Sequence, residues 1–254
     1  MAKAILFSDL HESYKQLYNL ETFLKKNPEI KIAIFAGDFL NMGEPVGFVN
    51  PFMRVFDENK VRLLWVPGNN DFGPAYFKLR SRYPSLEGRV VEVEKKIFSG
   101  VGGSPASWEG QYAGEKMIDI VSIAQTIFVS HIPPPGLFNY QKNDIDSPLL
   151  NKKNSDSPGQ IDIENTKMQP RSSCSNSQHT TSKYASPLSR KHFSNAPLVH
   201  ICGHIHSQWG CAILGQTKLV KLAPLENGHY VIMDLDDLSV EFRRFQMNKY
   251  NFED

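Results

Sequence analysis

Five short motifs of metal-binding side chains occur in order along this chain, and each directly follows a short apolar run. The apolar runs are residues 4–7, 32–36, 62–66, 126–129 and 198–202. The motifs are Asp9-Leu10-His11, Gly37-Asp38, Gly68-Asn69-Asn70-Asp71, Ser130-His131 and Gly203-His204-Ile205-His206. Short apolar runs bounded by turn residues are typical of strands buried on both faces. Because side chains just past the ends of adjacent strands converge on one crevice, the motifs predict a single shared site.

The segments between the first strands carry helical patterns. Ser13 and Gln16 have the spacing of a capping box, and apolar residues then recur at helical intervals up to Asn27. Two more helices are predicted, at 48–56 and 72–83. This alternation of strands and helices predicts a largely parallel sheet with right-handed crossovers.

The last third of the chain has the pattern of antiparallel strands. Residues 210–214 and 217–222 flank a Gly-Gln pair, and residues 230–235 and 239–245 flank an Asp-Asp pair, which predicts two hairpins. Earlier in the chain a single strand and then a loop are predicted, at 89–98 and 100–110. We therefore expect an α/β fold in which a second, partly antiparallel sheet packs face to face against the first, with helices outside.

One long segment differs from the rest in composition. Residues 141–196 are rich in Ser, Asn, Lys and Pro and show no sustained periodicity. Such a segment buries little apolar surface, so we expect a mobile polar insertion within one domain spanning residues 1–254. A tolerated surface loop is favoured over a lid on the site, because long loops cost little free energy.

The charge and composition of the chain indicate which kinds of partner and which cellular compartment to expect. The formal net charge is +1, which gives no overall electrostatic footprint for nucleic acid or an anionic membrane. No stretch approaches the roughly 18 apolar residues of a transmembrane helix, so no membrane span is expected. The three cysteines form no close-spaced pair, which favours a reducing, cytoplasmic setting. The oligomeric state is not predicted.

The residue types in the motifs suit a pair of divalent metal ions. Carboxylates offset the charge of the ions, and imidazoles fix their geometry. Two ions about 3.5–4 Å apart clamp the attacking and leaving oxygens of a phosphoryl displacement, and a carboxylate between them can bridge them. Water on such ions loses a proton near neutral pH, which supplies a nucleophile without serine or cysteine.

The ordered motifs resemble those of the calcineurin-like metallophosphoesterase superfamily. Its pattern is Asp-x-His, Gly-Asp, Gly-Asn-His-Asp/Glu, a distant His and Gly-His-x-His; four motifs match here, and the third matches at three of four positions. The resemblance is to the simpler prokaryotic phosphoesterases of the family, and it implies a four-layer αββα sandwich. It also implies two metal ions, usually manganese, iron or zinc.

The resemblance assigns a role to each motif residue. The first ion would be held by Asp9, His11 and His206, the second by Asn69, His131 and His204, and both by Asp38 as a bridge. The catalytic set would be Asp38, Asn70 and His131, of which Asn70 and His131 would also contact the substrate phosphate.

Asn70 is the one departure from the family pattern, which usually has a histidine there that protonates the leaving oxygen. An amide donates a hydrogen bond but cannot transfer a proton. Asn70 could orient the phosphate, which is the favoured interpretation. Alternatively, a histidine of the insertion, such as His179 or His192, supplies the proton, or hydrolysis has been lost.

These observations predict a dinuclear phosphoesterase that acts on a small phosphate ester or nucleotide through a hydroxide between the ions. Some family members with other residues at the position of Asn70 are still phosphodiesterases, which favours the phosphate-orienting role of Asn70 over loss of hydrolysis. A diester is favoured over a monoester as the substrate. The alternative is a metal-bearing scaffold for protein interactions with weak or lost catalysis. A nuclease is disfavoured by the near-neutral charge. His200, in an apolar run, is interpreted as a core residue and not as a ligand.

Overall fold

Two six-stranded sheets frame the fold, as seen in a computed structural model that describes residues 2–42, 46–103, 125–133, 173–174 and 196–245. The strands are β1 (Lys3–Phe7), β2 (Ile30–Phe35), β3 (Arg62–Trp65), β4 (Val90–Val93), β5 (Lys96–Val101), β6 (Thr126–Ser130), β7 (Ser173–Cys174), β8 (Val199–Cys202), β9 (Gly210–Leu214), β10 (Thr217–Lys221), β11 (His229–Asp234) and β12 (Val240–Arg244). The helices are α1 (Tyr14–Lys26), α2 (Val46–Asn59) and α3 (Gly73–Arg82), with a 3-10 turn at Leu225–Asn227.

Both sheets are mixed. The first has the order β3-β2-β1-β11-β12-β7; β1, β2 and β3 are parallel, and β11 pairs antiparallel with β1. The second has the order β4-β5-β6-β8-β10-β9, with a parallel centre of β5, β6, β8 and β10 between two antiparallel edge strands. The carboxyl ends of β1, β2, β3, β6 and β8 are each followed by one of the five motifs.

The alternation of side chains along β1–β3 divides the core in two. Phe7, Phe35 and Trp65 belong to the cluster that includes the buried faces of the three helices. Leu6 and Ile34 belong instead to the cluster that includes residues of the second sheet. Since successive side chains of a strand point to opposite faces, each strand of the first sheet buries one face under helices and the other under the second sheet.

These layers confirm the predicted α/β class and the two mixed sheets packed face to face. Among the described residues, the helices cover only the first sheet, so the helical layer outside the second sheet stays a prediction. No helix in the described ranges is both long and apolar enough to cross a membrane.

The capping box predicted at the start of α1 is only half formed. The Ser13 hydroxyl accepts the Gln16 N–H at 3.4 Å, so Ser13 is the N-cap. The Gln16 side chain, however, donates to the carbonyl of Glu226 at 3.3 Å and not to the cap. Gln16 therefore ties α1 to the 3-10 turn near the other end of the chain.

The single strand predicted at 89–98 is wrong: the structure has a hairpin of β4 and β5. The turn residues Glu94 and Lys95 have φ angles of 49° and 59°. Two successive left-handed residues form the turn that best matches the twist of a hairpin, but Asn-Gly is its usual sequence, and Glu-Lys gives no such signal. The loop predicted at 100–110 also begins late, because β5 continues to Val101.

The predicted insertion at 141–196 is described only at 173–174 and at 196. Ser173 and Cys174 form β7, which pairs antiparallel with Glu241 and Val240 of β12. The other residues of this insertion, including His179 and His192, lie outside the described ranges, so its mobility stays a prediction.

Candidate metal centre

The motif loops of the two sheets meet at one end of the sandwich and are joined by hydrogen bonds. The backbone N–H of His204 donates to both carboxylate oxygens of Asp9, at 3.1 and 3.2 Å. The N–H of Gly203 donates to the carbonyl of His131 at 2.9 Å. Gly203 also has no room for a side chain, because a Cβ there would lie 2.7 Å from Ser8 Oγ and 2.8 Å from Asp9 Oδ2.

Asp9, His11 and His206 form a first cluster of potential ligands, whose ligand atoms all lie within 4.8 Å of one another. The Nε2 atoms of the two histidines are 3.3 Å apart, and His206 Nε2 is 3.4 Å from Asp9 Oδ1. Burial opposes ionisation of Asp9, but its hydrogen bond with His206 and the nearby positive charges of His131 and Lys221 hold the pKa of Asp9 well below its usual range. Asp9 is therefore a buried carboxylate anion.

Asp38, His131 and His204 form a second cluster with ligand atoms within 4.8 Å of one another. His131 Nε2 lies 3.3 Å from Asp38 Oδ2 and 2.9 Å from Asn69 Oδ1. The opposite ring atom, Nδ1, donates to the carbonyl of Ala36 at 2.7 Å. Nε2 of His131 therefore faces the cluster.

The two imidazoles of the second cluster differ in charge. Burial disfavours the imidazolium of His131, but the charge of Asp38 and its hydrogen bond raise the pKa of His131 to about 9. Burial and the neighbouring positive charge of His131 lower the pKa of His204 to about 4. His204 is thus neutral at pH 7, whereas a metal ion would compete with a proton for His131.

Asp38 lies between the clusters. Its Oδ2 is 3.3 Å from His131 Nε2 in the second cluster and 4.0 Å from His11 Nε2 in the first. Burial opposes ionisation of this carboxyl as well, but the charge of His131 and its hydrogen bond lower the pKa of Asp38. The donor set of carboxylates, imidazoles and one amide oxygen therefore fits two neighbouring divalent ions that share Asp38.

Four of the eleven non-glycine residues with left-handed backbone in the described ranges are predicted metal ligands. The φ angles are 54° at Asp9, 46° at His11, 62° at Asp38 and 74° at His204. Such conformations cost about 1–3 kcal/mol each for residues that have a Cβ, and they persist where surrounding contacts fix them. Strain at four predicted ligands agrees with a site whose geometry is set before any ligand binds.

The contacts around Asp71 were not predicted from the sequence. Its Oδ2 accepts the backbone N–H groups of Asp38 and Gly68, at 2.7 and 2.8 Å. Its Oδ1 accepts those of Phe39 and Leu40, at 2.9 and 3.1 Å. Burial and the charge of Asp38 raise the pKa of Asp71 to about 7. Asp71 thus fixes the loop that carries Asp38, although its place in the third motif gave no sign of that role.

Asn70 contacts the shared carboxylate. Its backbone N–H donates to Asp38 Oδ1 and its side-chain amide to Asp38 Oδ2, both at 2.8 Å. The amide group therefore lies beside the carboxylate that separates the two clusters. The predicted contact between Asn70 and the substrate phosphate stays a prediction.

Two charged residues behind the last motif also escaped prediction. Lys221, fully buried at the end of β10, donates to the carbonyls of Ile205 and Leu222 at 2.7 and 2.8 Å. Glu226 Oε1 lies 3.1 Å from Nδ1 of His206. The contacts with Ile205 and His206 join segments that are distant in sequence, so no local pattern marks them.

His200 is buried, as the apolar run around it predicted, but its polar contact is specific. Its Nε2 is 2.8 Å from the hydroxyl of Ser130, which itself donates to the carbonyl of Ile132 at 2.7 Å. Burial lowers the pKa of His200 to about 4. A neutral His200 therefore donates to Ser130 and braces the turn that carries His131.

Comparison with known proteins agrees with the family resemblance of the five motifs. Residues 2–208 match the profile of the family described as calcineurin-like phosphoesterase. An uncharacterised protein of Methanocaldococcus jannaschii is 30% identical over 111 residues, which cover 41% of this chain and 50% of that relative. This chain therefore matches about half the length of that curated relative.

Solved structures share the fold at low sequence identity. A crystal structure of a Thermus thermophilus protein has a TM-score of 0.60 and 17% identity, and the match covers 96% of this chain and 99% of that one. A dimetal phosphatase from Danio rerio has a TM-score of 0.51 and 11% identity, with coverage of 96% and 99%.

Proposed function

The chain belongs to the calcineurin-like phosphoesterase family, and we propose that it hydrolyses a phosphodiester of a small molecule or nucleotide with the help of two divalent metal ions. Manganese, iron or zinc is the proposed metal. The position of the Asp38 carboxylate, within 4.0 Å of imidazoles of both clusters, carries this proposal.

We assign the ligands by cluster. Asp9, His11 and His206 would hold one ion, and Asn69, His131 and His204 the other, with Asp38 shared. When bound, two divalent ions generate a nucleophile from water at neutral pH and neutralise charge on the phosphate oxygens.

The residues of the chain itself prepare this site. Asp71 and the amide of Asn70 fix Asp38 between the clusters, so little rearrangement is needed when a substrate arrives. The amide of Asn70 and the ring of His131 are the proposed contacts to the substrate phosphate.

The preference for a diester rests on Asn70. A monoester dianion carries one more negative charge than a diester, and an imidazolium would help to offset it, whereas an amide is neutral. Asn70 also cannot protonate a leaving oxygen, so we expect the fastest turnover on esters whose leaving group needs no proton.

The test is hydrolysis of bis(4-nitrophenyl) phosphate and of 4-nitrophenyl phosphate, with Mn²⁺ added to metal-free protein. Because loss of a group that merely supports a ligand costs about 10–100-fold, Asp38→Ala should lower the Mn²⁺-dependent rate at least about 100-fold. Asp234→Ala is the control, because Asp234 is the last residue of β11 and its side chain accepts the Asp236 N–H of the turn that follows.

Hydrolysis that survives Asp38→Ala would contradict the role of Asp38, and faster hydrolysis of the monoester would contradict the proposed substrate class. The alternative of a metal-bearing interaction scaffold also depends on Asn70. It would be favoured if the wild-type protein bound Mn²⁺ but hydrolysed neither ester. A cytoplasmic location stays a prediction from the cysteine pattern.

A further inference from the structure

Glu226 is held in place by backbone contacts on both sides. It lies in the 3-10 turn between β10 and β11, where its N–H donates to the carbonyl of Asp9 at 3.0 Å. Its own carbonyl accepts the Gln16 amide at 3.3 Å. The backbone of Glu226 is therefore fixed both to α1 and to the loop that carries the first cluster.

The Glu226 side chain meets the outer edge of the His206 ring. Its Oε1 is 3.1 Å from Nδ1, while Nε2 of the same ring is 3.3 Å from His11 Nε2 and 3.4 Å from Asp9 Oδ1. When Nδ1–H donates its hydrogen bond to this carboxylate, the neutral ring can present the lone pair of Nε2 to a metal ion in the first cluster.

His206 differs from the better packed histidines of the centre in how its outer nitrogen is anchored. Nδ1 of His11 and of His131 donates to a backbone carbonyl, that of Leu40 or Ala36. The side chain of His206 is 41% exposed, against 12% for His11 and 0% for His131. Packing holds His206 least, so its orientation depends most on the Glu226 carboxylate.

We propose that Glu226 is a positioning residue that orients His206 and strengthens its bond to the first metal ion. This inference rests on the proposed function, because it requires an ion at Asp9, His11 and His206. A carboxylate behind a ligating imidazole also makes Nε2 more basic, and loss of such a partner typically costs about 10–100-fold in metal affinity.

The test is calorimetric titration of metal-free protein with Mn²⁺. Glu226→Leu removes the acceptor but keeps most of the side-chain volume. One of the two binding events should weaken by about 10–100-fold, and the other should be unchanged. Glu241→Leu is the matched control: Glu241 is an exposed carboxylate of β12 that pairs with Arg243, so its loss removes the same charge away from the centre.

A second measurement separates positioning from a general structural role. The rate lost by Glu226→Leu at limiting Mn²⁺ should return toward the wild-type rate at saturating Mn²⁺, because the defect lies in metal affinity. Glu226→Gln keeps an acceptor without the charge, so it should lose less affinity than Glu226→Leu, and it replaces Glu226→Leu if that variant does not fold.

Unchanged affinity for both ions in a folded Glu226 variant would overturn the proposal. Failure of the proposed function has a different signature, since the wild-type protein itself would then bind no pair of Mn²⁺ ions.

Discussion

Replacement of Asp71 by Asn is the sharpest test of how the centre is built. Asp71 is buried and accepts four backbone N–H groups, two at each carboxylate oxygen. An Asn side chain in the same pose presents one oxygen and one NH₂ group. Two of the four N–H groups would then face a donor in place of an acceptor.

The free energy at stake follows from this count. A buried N–H without an acceptor costs about 1–3 kcal/mol, so two of them cost about 2–6 kcal/mol. The neutral amide also removes the repulsion between the Asp71 and Asp38 carboxylates, so the free energy of unfolding should fall by an amount toward the lower end of that range. This is a large part of the roughly 5–15 kcal/mol that stabilises a typical domain. Since three of the four donors belong to residues 38–40, Mn²⁺ affinity should fall together with stability.

The assay is urea unfolding of metal-free protein, followed by tryptophan fluorescence, to which the buried Trp65 contributes. The pH is 8, where Asp71 with its pKa of about 7 is ionised. Asp234→Asn is the control, because the half-buried Asp234 at the end of β11 accepts only one N–H, that of Asp236, and a change within about 0.5 kcal/mol is expected. If Asp71→Asn cost no more than this control, Asp71 would not be the acceptor that fixes the loop.

Three further predictions concern the proton donor, a buried histidine and the metal ions. Asn70→His supplies a proton donor, so it should raise the rate on an unactivated alkyl diester by at least about tenfold but leave the rate on the 4-nitrophenyl diester nearly unchanged. If the variant and the wild type hydrolysed the alkyl diester at the same rate, the proton-donor argument would be contradicted. Burial lowers the pKa of His200 to about 4, below its ordinary 6.5, so the unfolded chain takes up this proton before the folded protein does. As pH falls from 6.5 toward 4, the free energy of unfolding should therefore fall by about 3 kcal/mol more in the wild type than in His200→Gln. An equal pH dependence of unfolding in the two proteins would refute the shift. Since the pKa of His131 is about 9 in the metal-free protein, Mn²⁺ must displace its proton, and the apparent Mn²⁺ affinity measured by calorimetry should rise from pH 6 to pH 9. An affinity that does not change with pH would argue against His131 as a ligand.

The sequence predicts the fold best where the signal is local. The apolar runs mark β1, β2, β3, β6 and β8, because a strand buried on both faces has few ways to arrange its polar residues. The hairpin turn at Glu94 and Lys95 was missed because its left-handed backbone is imposed by the pairing of β4 with β5 and not by its residue types.

The residues of the candidate centre also divide into those that the sequence predicts and those that it does not. Asp9, Asp38, His131 and His204 each follow a strand, so their approach could be inferred from strand order alone. Glu226 and Asp71 act through partners 20 and 33 residues away, His206 and Asp38, and these contacts depend on loop paths that no periodicity encodes. The family pattern includes Asp71 but gives no sign of its role, and it does not include Glu226.

Each cluster takes side chains from both sheets. Asp9 and His11 follow a strand of the first sheet and His206 one of the second, and the same division separates Asp38 from His131 and His204. Two bound ions would therefore cross-link the two sheets at this end of the sandwich. A shift of one sheet relative to the other would separate the ligands of both ions at once. The relative position of the two sheets and the binding of the two ions are therefore coupled.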